Sequence, residues 1–193
     1  GLRDRNGDGL VDDEAGKTVR FTVLTSKGNT VRERSTAVIQ EQLRKVGLTM
    51  DVVPMEIGAM IGRWNKGEYD AIYFSVVYDS FDPARYVDFW ASSGPFHFWN
   101  PNQTKPATPW EAQIDTLMRK QTTTLDVTER HRLFAEVQRV FAEQLPVLCF
   151  AAARVTVATS ARLRGVVPST LPLPVLWNAE TLWLSPQAAS ARR

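Results

Sequence analysis

The feature that most constrains the fold is a regular alternation of strand-like and helix-like segments in residues 18–77. The stretch TVRFTVLTS, residues 18–26, alternates apolar and polar side chains with the period of a β-strand. Residues 48–55 have the character of a second strand, and Pro54 places its end near a sheet edge. Residues 69–77, YDAIYFSVV, are an almost continuous apolar run, which is typical of a central strand covered on both faces.

Two helices are predicted between these strands. The first begins with a capping box formed by Thr30 and Glu33 and ends at Gly47. Its apolar stripe consists of Ala37, Ile39, Leu43 and Val46. The second covers residues 57–66 and is closed by Gly67. The order strand, helix, strand, helix, strand predicts an α/β fold of three layers, with a mixed, mostly parallel sheet flanked by helices.

The next part of the chain breaks this rhythm. Residues 78–109 are irregular and rich in Pro, Gly, Asn and aromatic residues, and a long irregular segment inside a domain is usually functional or mobile. Two helices are predicted to follow. The first has Trp110, Ile114 and Leu117 on its inner face; the second begins at Asp126, with Glu129 three residues on, and stops at Pro146.

The C-terminal part is predicted to contain extended pieces. Residues 147–159, VLCFAAARVTVAT, are predicted to form a buried strand, or two strands with a bend near Ala153. Residues 160–165 are predicted to form a helical turn, and residues 175–184 a final extended piece. The tryptophans on regular patterns are expected to pack in the core or at a hinge; these are Trp64, Trp110, Trp177 and Trp183.

The composition excludes several classes of function. The 23 basic and 21 acidic residues give a net charge of +2 and are mixed along the chain, so there is no electrostatic footprint for nucleic acid. Cys149 is the only cysteine, which excludes an intrachain disulfide and a thiolate zinc cluster; it is expected to be a small buried hydrophobe. No apolar run is long enough to predict a membrane-spanning helix.

No catalytic set is visible in the sequence. His97 and His131 are the only histidines, so few residues are available to form a Ser-His-Asp, Cys-His or His-metal site. His131 is expected on a solvated helix face, and His97 as a hydrogen-bonded loop histidine. No glycine-rich phosphate loop has the required spacing. The chain is therefore predicted not to be an enzyme.

The N-terminal stretch DRNGDGLVDDE allows a calcium-binding interpretation. Its candidate ligands are Asp4, Asn6, Asp8 and Asp12. The first three of these, and Gly9, match the spacing of a calcium loop, whereas Ala15 stands at the twelfth position, where a bidentate Glu is required. The alternative is a turn, because Asp, Asn and Gly tolerate left-handed geometry and bond their own backbone. A calcium-stabilised interaction module is therefore an alternative function, and no other cofactor is predicted.

The order of segments resembles a known family. FTVLTSKGNTVRERSTAVIQEQLRKVGLTMDVVPMEIGAMIGRWNKGEYDAIYF, residues 21–74, is similar to the second lobe of the family 5 solute-binding proteins of peptide-type ABC importers. Residues 114–150, the segment RLRGV and the segment WNAETLWL resemble later parts of the same lobe. The resemblance covers residues 1–185 and leaves residues 186–193 as a flexible tail. It implies a type II periplasmic-binding-protein-like fold.

The resemblance also implies what the chain does and with what it works. It implies a lobe that closes by hinge motion on a small, peptide-like solute and delivers the solute to an ABC permease, with a first lobe of the same protein preceding this one. It implies a periplasmic or extracellular location, with a lipid anchor on the full-length protein as a further option. Nucleic acid is not an expected partner.

Candidate ligand contacts follow from the same resemblance. In peptide binders a segment of the form W..DY.DP follows the central strand, and its first Asp pairs with the ligand's α-amino group; here VVYDSFDP places Asp79 at that position, beside Tyr78 and Asp82. Val76 stands where the family has Trp, a departure from the pattern of ordinary peptide binders. The alternative is that Asp79 or Asp82 only caps a turn.

The second candidate contact region is GPFHFWNPNQTKPATP, residues 94–109, which we call the aromatic loop. Trp99 and Asn100 are the residues expected to face the cleft, where aromatic rings wall pockets for apolar or stacked groups. The alternative is that the aromatic residues of this loop form a satellite core.

Overall fold

The first helices and strands of the computed structural model follow the predicted order, and the model describes residues 1–76, 82–150, 154, 156–169 and 175–186. β1 is Arg20–Ser26, α1 is Thr30–Lys45, β2 is Thr49–Met55, α2 is Ile57–Lys66 and β3 is Ala71–Tyr73. This confirms the alternation of strands and helices in residues 18–77. The fold is α/β, with a parallel sheet made by these three strands.

The sheet has the strand order β2-β1-β3, and β1 lies in the middle. β1 pairs along its whole length with β2, in the register Arg20 to Thr49, and its second half pairs with β3. Its last four residues are buried. The prediction that residues 69–77 form the central strand is therefore wrong for the described sheet. An apolar run indicates that a strand is buried, but it does not predict which other strands lie beside it in the sheet.

The N-terminus of α1 differs from the predicted capping box by one residue. The cap is Asn29, whose side chain accepts a hydrogen bond from the Arg32 backbone N–H at 3.0 Å. The Glu33 carboxylate reaches back to the backbone N–H of Gly28. The predicted apolar stripe is only partly correct, because Val46 is exposed and Thr36 is the one fully buried side chain of the helix. α2 ends as predicted, with Gly67 in left-handed geometry.

The helical hairpin that follows matches the prediction closely. After the 3₁₀ turn Pro83–Tyr86 and the short helix α3, Val87–Trp90, come α4, Pro109–Thr123, and α5, Val127–Gln144. Asp126 caps α5 and accepts from the Glu129 backbone N–H at 2.7 Å. A core cluster lies between the two helices and consists of Ile114, Met118, Val137 and Val140.

The C-terminal predictions hold less well. The described residues of 147–159 form no strand, and Cys149 is exposed rather than buried. The segment predicted as a helical turn contains β4, Leu163–Arg164, which pairs antiparallel with β5, Trp183–Leu184. Trp177 and Trp183 are half-exposed, so they do not pack in the core of this chain, and their predicted place at a hinge stays a prediction. Apolar residues are buried only where another part of the molecule covers them.

The N-terminal segment is held against the end of α1 through a glycine. The Val11 backbone N–H donates to the Gly47 carbonyl at 2.8 Å. Gly47 has φ +79°, and a Cβ there would lie 2.9 Å from both the Gly9 carbonyl oxygen and a methyl carbon of Val11. Only glycine fits both the backbone geometry and the space at this position.

We predict that Gly47→Ala lowers the free energy of unfolding by about 2–3 kcal/mol, because left-handed strain and a steric clash add. Gly67→Ala is the matched control: its φ is +70°, but nothing lies within 4 Å of the added Cβ. The control is expected to cost about 1 kcal/mol, from strain alone. Urea denaturation measures both. Equal losses in the two variants would show that the N-terminal segment does not press on Gly47.

Candidate functional site

The strand order places a topological switch point between β1 and β3. The chain leaves β1 for β2 on one side, and then crosses to β3 on the other side. In open α/β sheets, ligands bind outside the carboxyl ends of the strands at such a point. The residues around the end of β1 and just after β3 are therefore the first place to look for a site.

A cluster centred on Arg32 occupies this edge. The guanidinium donates to the hydroxyl of Ser26, at the end of β1, and to the hydroxyl of Ser75, two residues after β3, each at 2.6 Å. It also lies over the ring of Phe74, 4.3 Å from the centroid. We call Arg32, Ser26, Phe74 and Ser75 the edge cluster. It joins α1 to both strands that flank the switch point.

Arg32 was not among the residues expected to bind a ligand. Ser75 lies 43 positions away in the chain, so the sequence does not reveal their contact. One signal was available: a basic residue in the first turn of a helix is electrostatically unfavourable and is a mark of a special role.

The segment that carries the expected ligand contacts follows the edge cluster directly. Tyr78 and Asp79 lie outside the described residues. Asp82 is described: it caps the 3₁₀ turn by accepting from the Ala84 backbone N–H at 3.0 Å, and it pairs with Arg130 on α5 at 2.5 Å. The hydrogen bond from Arg130, together with that from Ala84, lowers the pKa of the Asp82 carboxyl below its ordinary value of 3.8.

A surface groove of about 500 Å³ runs beside Asp82. It lies between the 3₁₀ turn and the ends of α4 and α5, and its lining consists of Asp82, Pro83, Gln121, Val127, Arg130, His131, Phe134 and Gln138. His131 is exposed on α5, as expected. Asp82 therefore lines a surface groove. It also caps a turn, which is the alternative role predicted for it from the sequence.

The aromatic loop is packed rather than open. The Trp99 ring lies 3.8 Å from the His97 ring and 5.3 Å from the Phe141 ring, measured between centroids, and its Nε1–H donates to Glu111 at 3.3 Å. Asn100 donates to the side chain of Gln103 at 2.7 Å. Both expected contacts are half-buried. The structure brings Trp99 and Asn100 together around Glu111, whereas Asp82 belongs to a separate cluster with Arg130.

The carboxylate of Glu111 is the centre of this loop. One oxygen accepts from His97, Trp99 and Gln103 at 3.2–3.3 Å. The other accepts from the backbone N–H groups of Ala107 and Thr108 at 2.9 Å and from the Thr108 hydroxyl at 3.0 Å. Glu111 and His97 are both almost fully buried. His97 is a hydrogen-bonded loop histidine, as expected, and its Nε2 carries the proton that Glu111 accepts.

Burial alone would raise the pKa of the Glu111 carboxyl, but hydrogen bonds outweigh this effect. The bonds from His97, Gln103 and Thr108 hold the pKa below its ordinary value of 4.5. The hydrogen bonds of the loop therefore stabilise the ionised form of the Glu111 carboxyl.

Two further bonds tie the loop to the sheet layer. The carbonyl oxygen of Phe98 accepts from Trp64 Nε1–H and from the Tyr69 hydroxyl, each at 2.9 Å. Trp64 is buried on α2, as expected of a core tryptophan. The position of the aromatic loop relative to β3 is thereby fixed.

The candidate calcium residues are engaged with their own backbone. The two oxygens of Asp4 accept from the N–H groups of Gly7 and Gly9, which lower the pKa of the Asp4 carboxyl. Asn6 and Asp8 accept from the N–H groups two residues after them. Asp12 is buried and accepts from the Arg5 N–H. Such bonds are those of a turn built from Asx residues.

Within the described ranges, no group of three or more His, Cys, Asp or Glu side chains could hold a metal ion. The calcium alternative therefore gains no support from the arrangement of these residues. Among the same residues, no helix is long and apolar enough to cross a membrane.

Comparison with known proteins identifies the family. Residues 1–98 match the model of the middle region of the bacterial extracellular solute-binding proteins, family 5. The chain belongs to this family. The expected resemblance is thus confirmed, and the loop, the sheet and the edge cluster all lie in the matched residues or directly beside them.

Two curated relatives are much longer than this chain. The oligopeptide-binding protein AppA of Bacillus subtilis is 28% identical over 190 residues, which are 96% of this chain and 33% of AppA. The di/tripeptide-binding protein 2 of Pseudomonas aeruginosa is 28% identical over 114 residues, 58% of this chain and 20% of that protein. The chain therefore spans a third or less of the length of these relatives.

Solved structures show the same fold. The periplasmic binding protein MelB of Agrobacterium fabrum, in complex with stachyose, matches 76% of this chain and 23% of its own, with a TM-score of 0.66 and 22% identity. AppA of Bacillus subtilis, in complex with a nonapeptide, matches 96% of this chain and 35% of its own, with a TM-score of 0.58 and 24% identity. The predicted fold, of the type II periplasmic binding proteins, is confirmed.

We predict that Glu111→Gln lowers the free energy of unfolding by about 3 kcal/mol at pH 7, because an amide replaces one acceptor oxygen and leaves buried donors unpaired. Glu143→Gln is the control, since Glu143 is exposed and, among the described residues, bonds only to Arg139. It should change stability by less than about 1 kcal/mol.

The same carboxylate predicts a pH dependence. Because the folded-state pKa of Glu111 lies below 4.5, its stabilisation is present above that pH and is lost as the pH falls through the lower, folded-state value. The stability difference between wild type and Glu111→Gln should therefore shrink below pH 4.5. A difference that stayed constant from pH 7 down to pH 3 would contradict an ionised Glu111 at the centre of the loop.

Proposed function

We propose that this chain is one lobe of the substrate-binding component of an ABC importer. The lobe is assigned to residues 1–185; the predicted tail, residues 186–193, lies outside the described residues except for its first residue. The remainder of the protein supplies a second lobe, and a small solute binds in the cleft between them and passes to a membrane permease. The observation that carries this proposal is family membership combined with the switch point in the strand order of the sheet.

Hinge closure is the proposed mechanism. This lobe presents prearranged polar groups to the ligand. A ligand that contacts both lobes binds the closed form more tightly than the open form, and it therefore favours closure. The edge cluster and the aromatic loop suit this task, because each is fixed by hydrogen bonds between different elements. The related proteins are solute-binding proteins rather than enzymes, which is consistent with a chain that carries no visible catalytic set.

A peptide or a related small solute is the proposed ligand. The names of the relatives support this choice, since one is an oligopeptide-binding protein and another a di/tripeptide-binding protein. The fold by itself is less selective: one solved structure holds stachyose and another a nonapeptide. We place the protein outside the cytoplasm, periplasmic or extracellular, as the family description implies, with a lipid anchor on the full-length protein as a further proposal.

We propose Asp79, with its neighbours Tyr78 and Asp82, as ligand contacts of this lobe. The segment follows β3 and therefore leaves the sheet at its carboxyl edge. Trp99 and Asn100 are proposed to wall the same cleft from the aromatic loop. A carboxylate at this place would pair with the α-amino group of a peptide, and such a pair is strong when it is shielded from water.

The direct experiment is native mass spectrometry of the full-length protein as purified. A bound peptide-like solute, released on unfolding, is the expected result. A purified protein that carries no solute, and binds no member of a peptide library in calorimetry, would contradict the proposed function.

We predict that Asp79→Ala weakens peptide binding by the full-length protein tenfold or more, because it removes one side of a charge pair. Asp51→Ala is the control: Asp51 is an acidic residue on β2 and pairs with Arg20. It should leave affinity unchanged. Calorimetry that gave the same affinity for wild type and Asp79→Ala would remove Asp79 from the site.

A further inference from the structure

We infer that the groove beside Asp82 is a binding site for an uncharged polar group, the carboxamide of a Gln or Asn side chain on the solute. The inference rests on the proposed function, because Asp82 belongs both to this groove and to the residues proposed to contact the ligand. It assigns recognition of that side chain to Gln121 on α4 and Arg130 on α5.

The first ground is that the groove carries no net charge. Asp82 and Arg130 pair at 2.5 Å and neutralise each other. His131 is the only other titratable residue of the lining, and histidine is counted as neutral at pH 7. A charged ligand group of either sign would therefore lose hydration in the groove without gaining a counter-ion of its own. The groove favours an uncharged group.

The second ground is a pair of buried polar atoms without partners. Gln121 is only 1% exposed, and its side chain is hydrogen-bonded to the Asp82 carboxylate. Because a carboxylate only accepts, this bond directs the amide nitrogen of Gln121 toward Asp82 and leaves its Oε1 for another partner. Arg130 bonds Asp82 through Nη2. Among the described residues, neither Gln121 Oε1 nor Arg130 Nε has a hydrogen-bond partner.

These two atoms define the chemistry of the group that would bind them. Buried polar atoms are almost always hydrogen-bonded, and one without a partner destabilises the free protein. Gln121 Oε1 is an acceptor and Arg130 Nε–H is a donor, so a group that satisfies both must offer one donor and one acceptor. A carboxylate has no donor and an ammonium has no acceptor, so each would leave one of the two atoms unpaired.

A primary carboxamide meets this requirement better than a peptide bond does. Both residues hold the same carboxylate, so the unpaired atoms belong to neighbouring side chains. A primary carboxamide carries its donor and its acceptor side by side, whereas a trans peptide bond directs them to opposite sides. Both protein atoms are covered in this structure, so binding requires a side-chain rearrangement, of the kind that commonly accompanies binding.

The third ground is an apolar wall beside these polar atoms. The Phe134 ring is half-buried and packs edge-on against the ring of Trp90, 5.4 Å away between centroids. Pro83 and the exposed Val127 extend the apolar lining. The methylene groups of a Gln or Asn side chain would cover this surface while its amide bonds the polar atoms. Apolar walls with a few polar groups are typical of sites for small ligands.

The test is calorimetry on the full-length protein, with tripeptides in which Gln, Glu or Met replaces one alanine of Ala-Ala-Ala at each position in turn. The three side chains are similar in length, but only Gln offers an uncharged donor and acceptor. A sugar hydroxyl also donates and accepts, so stachyose serves as the hydroxyl probe.

Two variants and one control are compared with wild type. Gln121→Met removes the unpaired acceptor, and Arg130→Lys keeps a cation for Asp82 but removes the unpaired donor. Gln113→Met is the control, because it makes the same change at an exposed residue of α4. Thermal unfolding of each protein shows that it is folded. Arg130→Lys decides the question if Gln121→Met does not fold.

Wild type and Gln113→Met are expected to bind one Gln peptide about tenfold more tightly than the Met and Glu peptides of the same position, as two hydrogen bonds predict. Gln121→Met and Arg130→Lys should each lose most of this preference, while binding the Met peptide as wild type does.

Other outcomes would overturn the inference. A merely structural role for Gln121 and Arg130 would weaken every probe by the same factor, and that result would leave the proposed function intact. Equal binding of Gln and Met peptides by wild type would have the same meaning. Stachyose that bound more tightly than every peptide would replace the carboxamide by a sugar hydroxyl. Binding of no probe by wild type would contradict both the inference and the proposed function.

Discussion

The pairing of β1 with a parallel neighbour on each side is the constraint on which the rest of the lobe depends. Because β2 and β3 lie on opposite sides of β1, the chain must cross over the sheet between them, and this creates the switch point. The last four residues of β1 are buried, so its register is set by burial as well as by hydrogen bonds. The same register brings Ser26 and Ser75 within reach of one arginine. Function is proposed at this edge because open α/β sheets bind their ligands outside the carboxyl ends of the strands at a switch point.

A second constraint fixes the aromatic loop. Glu111 holds both ends of the loop at once, because its carboxylate accepts from the His97 side chain near the start of the loop and from the Thr108 backbone N–H near its end. The carboxylate also closes the capping box of α4, so the loop and the helix share one anchor. Trp64 and Tyr69 connect the loop to the sheet layer. The lobe can therefore present a rigid wall from a segment that contains little regular structure, as a binding surface requires.

The parts of the fold that sequence periodicity predicted are those stabilised locally. The hairpin of α4 and α5 was predicted together with the cap of α5, because Asp126 acts on the first turn of its own helix. The position of β3 at a sheet edge could not be read from its apolar run, since strand order depends on partners far away in the chain. Cys149 shows the same limit: an apolar neighbourhood predicts burial only where something covers it. Of the candidate site, the turn role of Asp82 was foreseen, whereas Arg32 was missed because its partners come together only in the folded sheet.

Hydrogen exchange of the full-length protein, with and without the tightest-binding peptide, tests most directly whether this edge of the lobe is the ligand site. The peptide should slow amide exchange in residues 26–32 and 74–76, at the carboxyl edge of β1 and β3, and leave the amino edge near Arg20 and Thr49 unchanged. Protection confined to the amino edge, or equal exchange at the carboxyl edge with and without bound peptide, would contradict a binding site at the switch point.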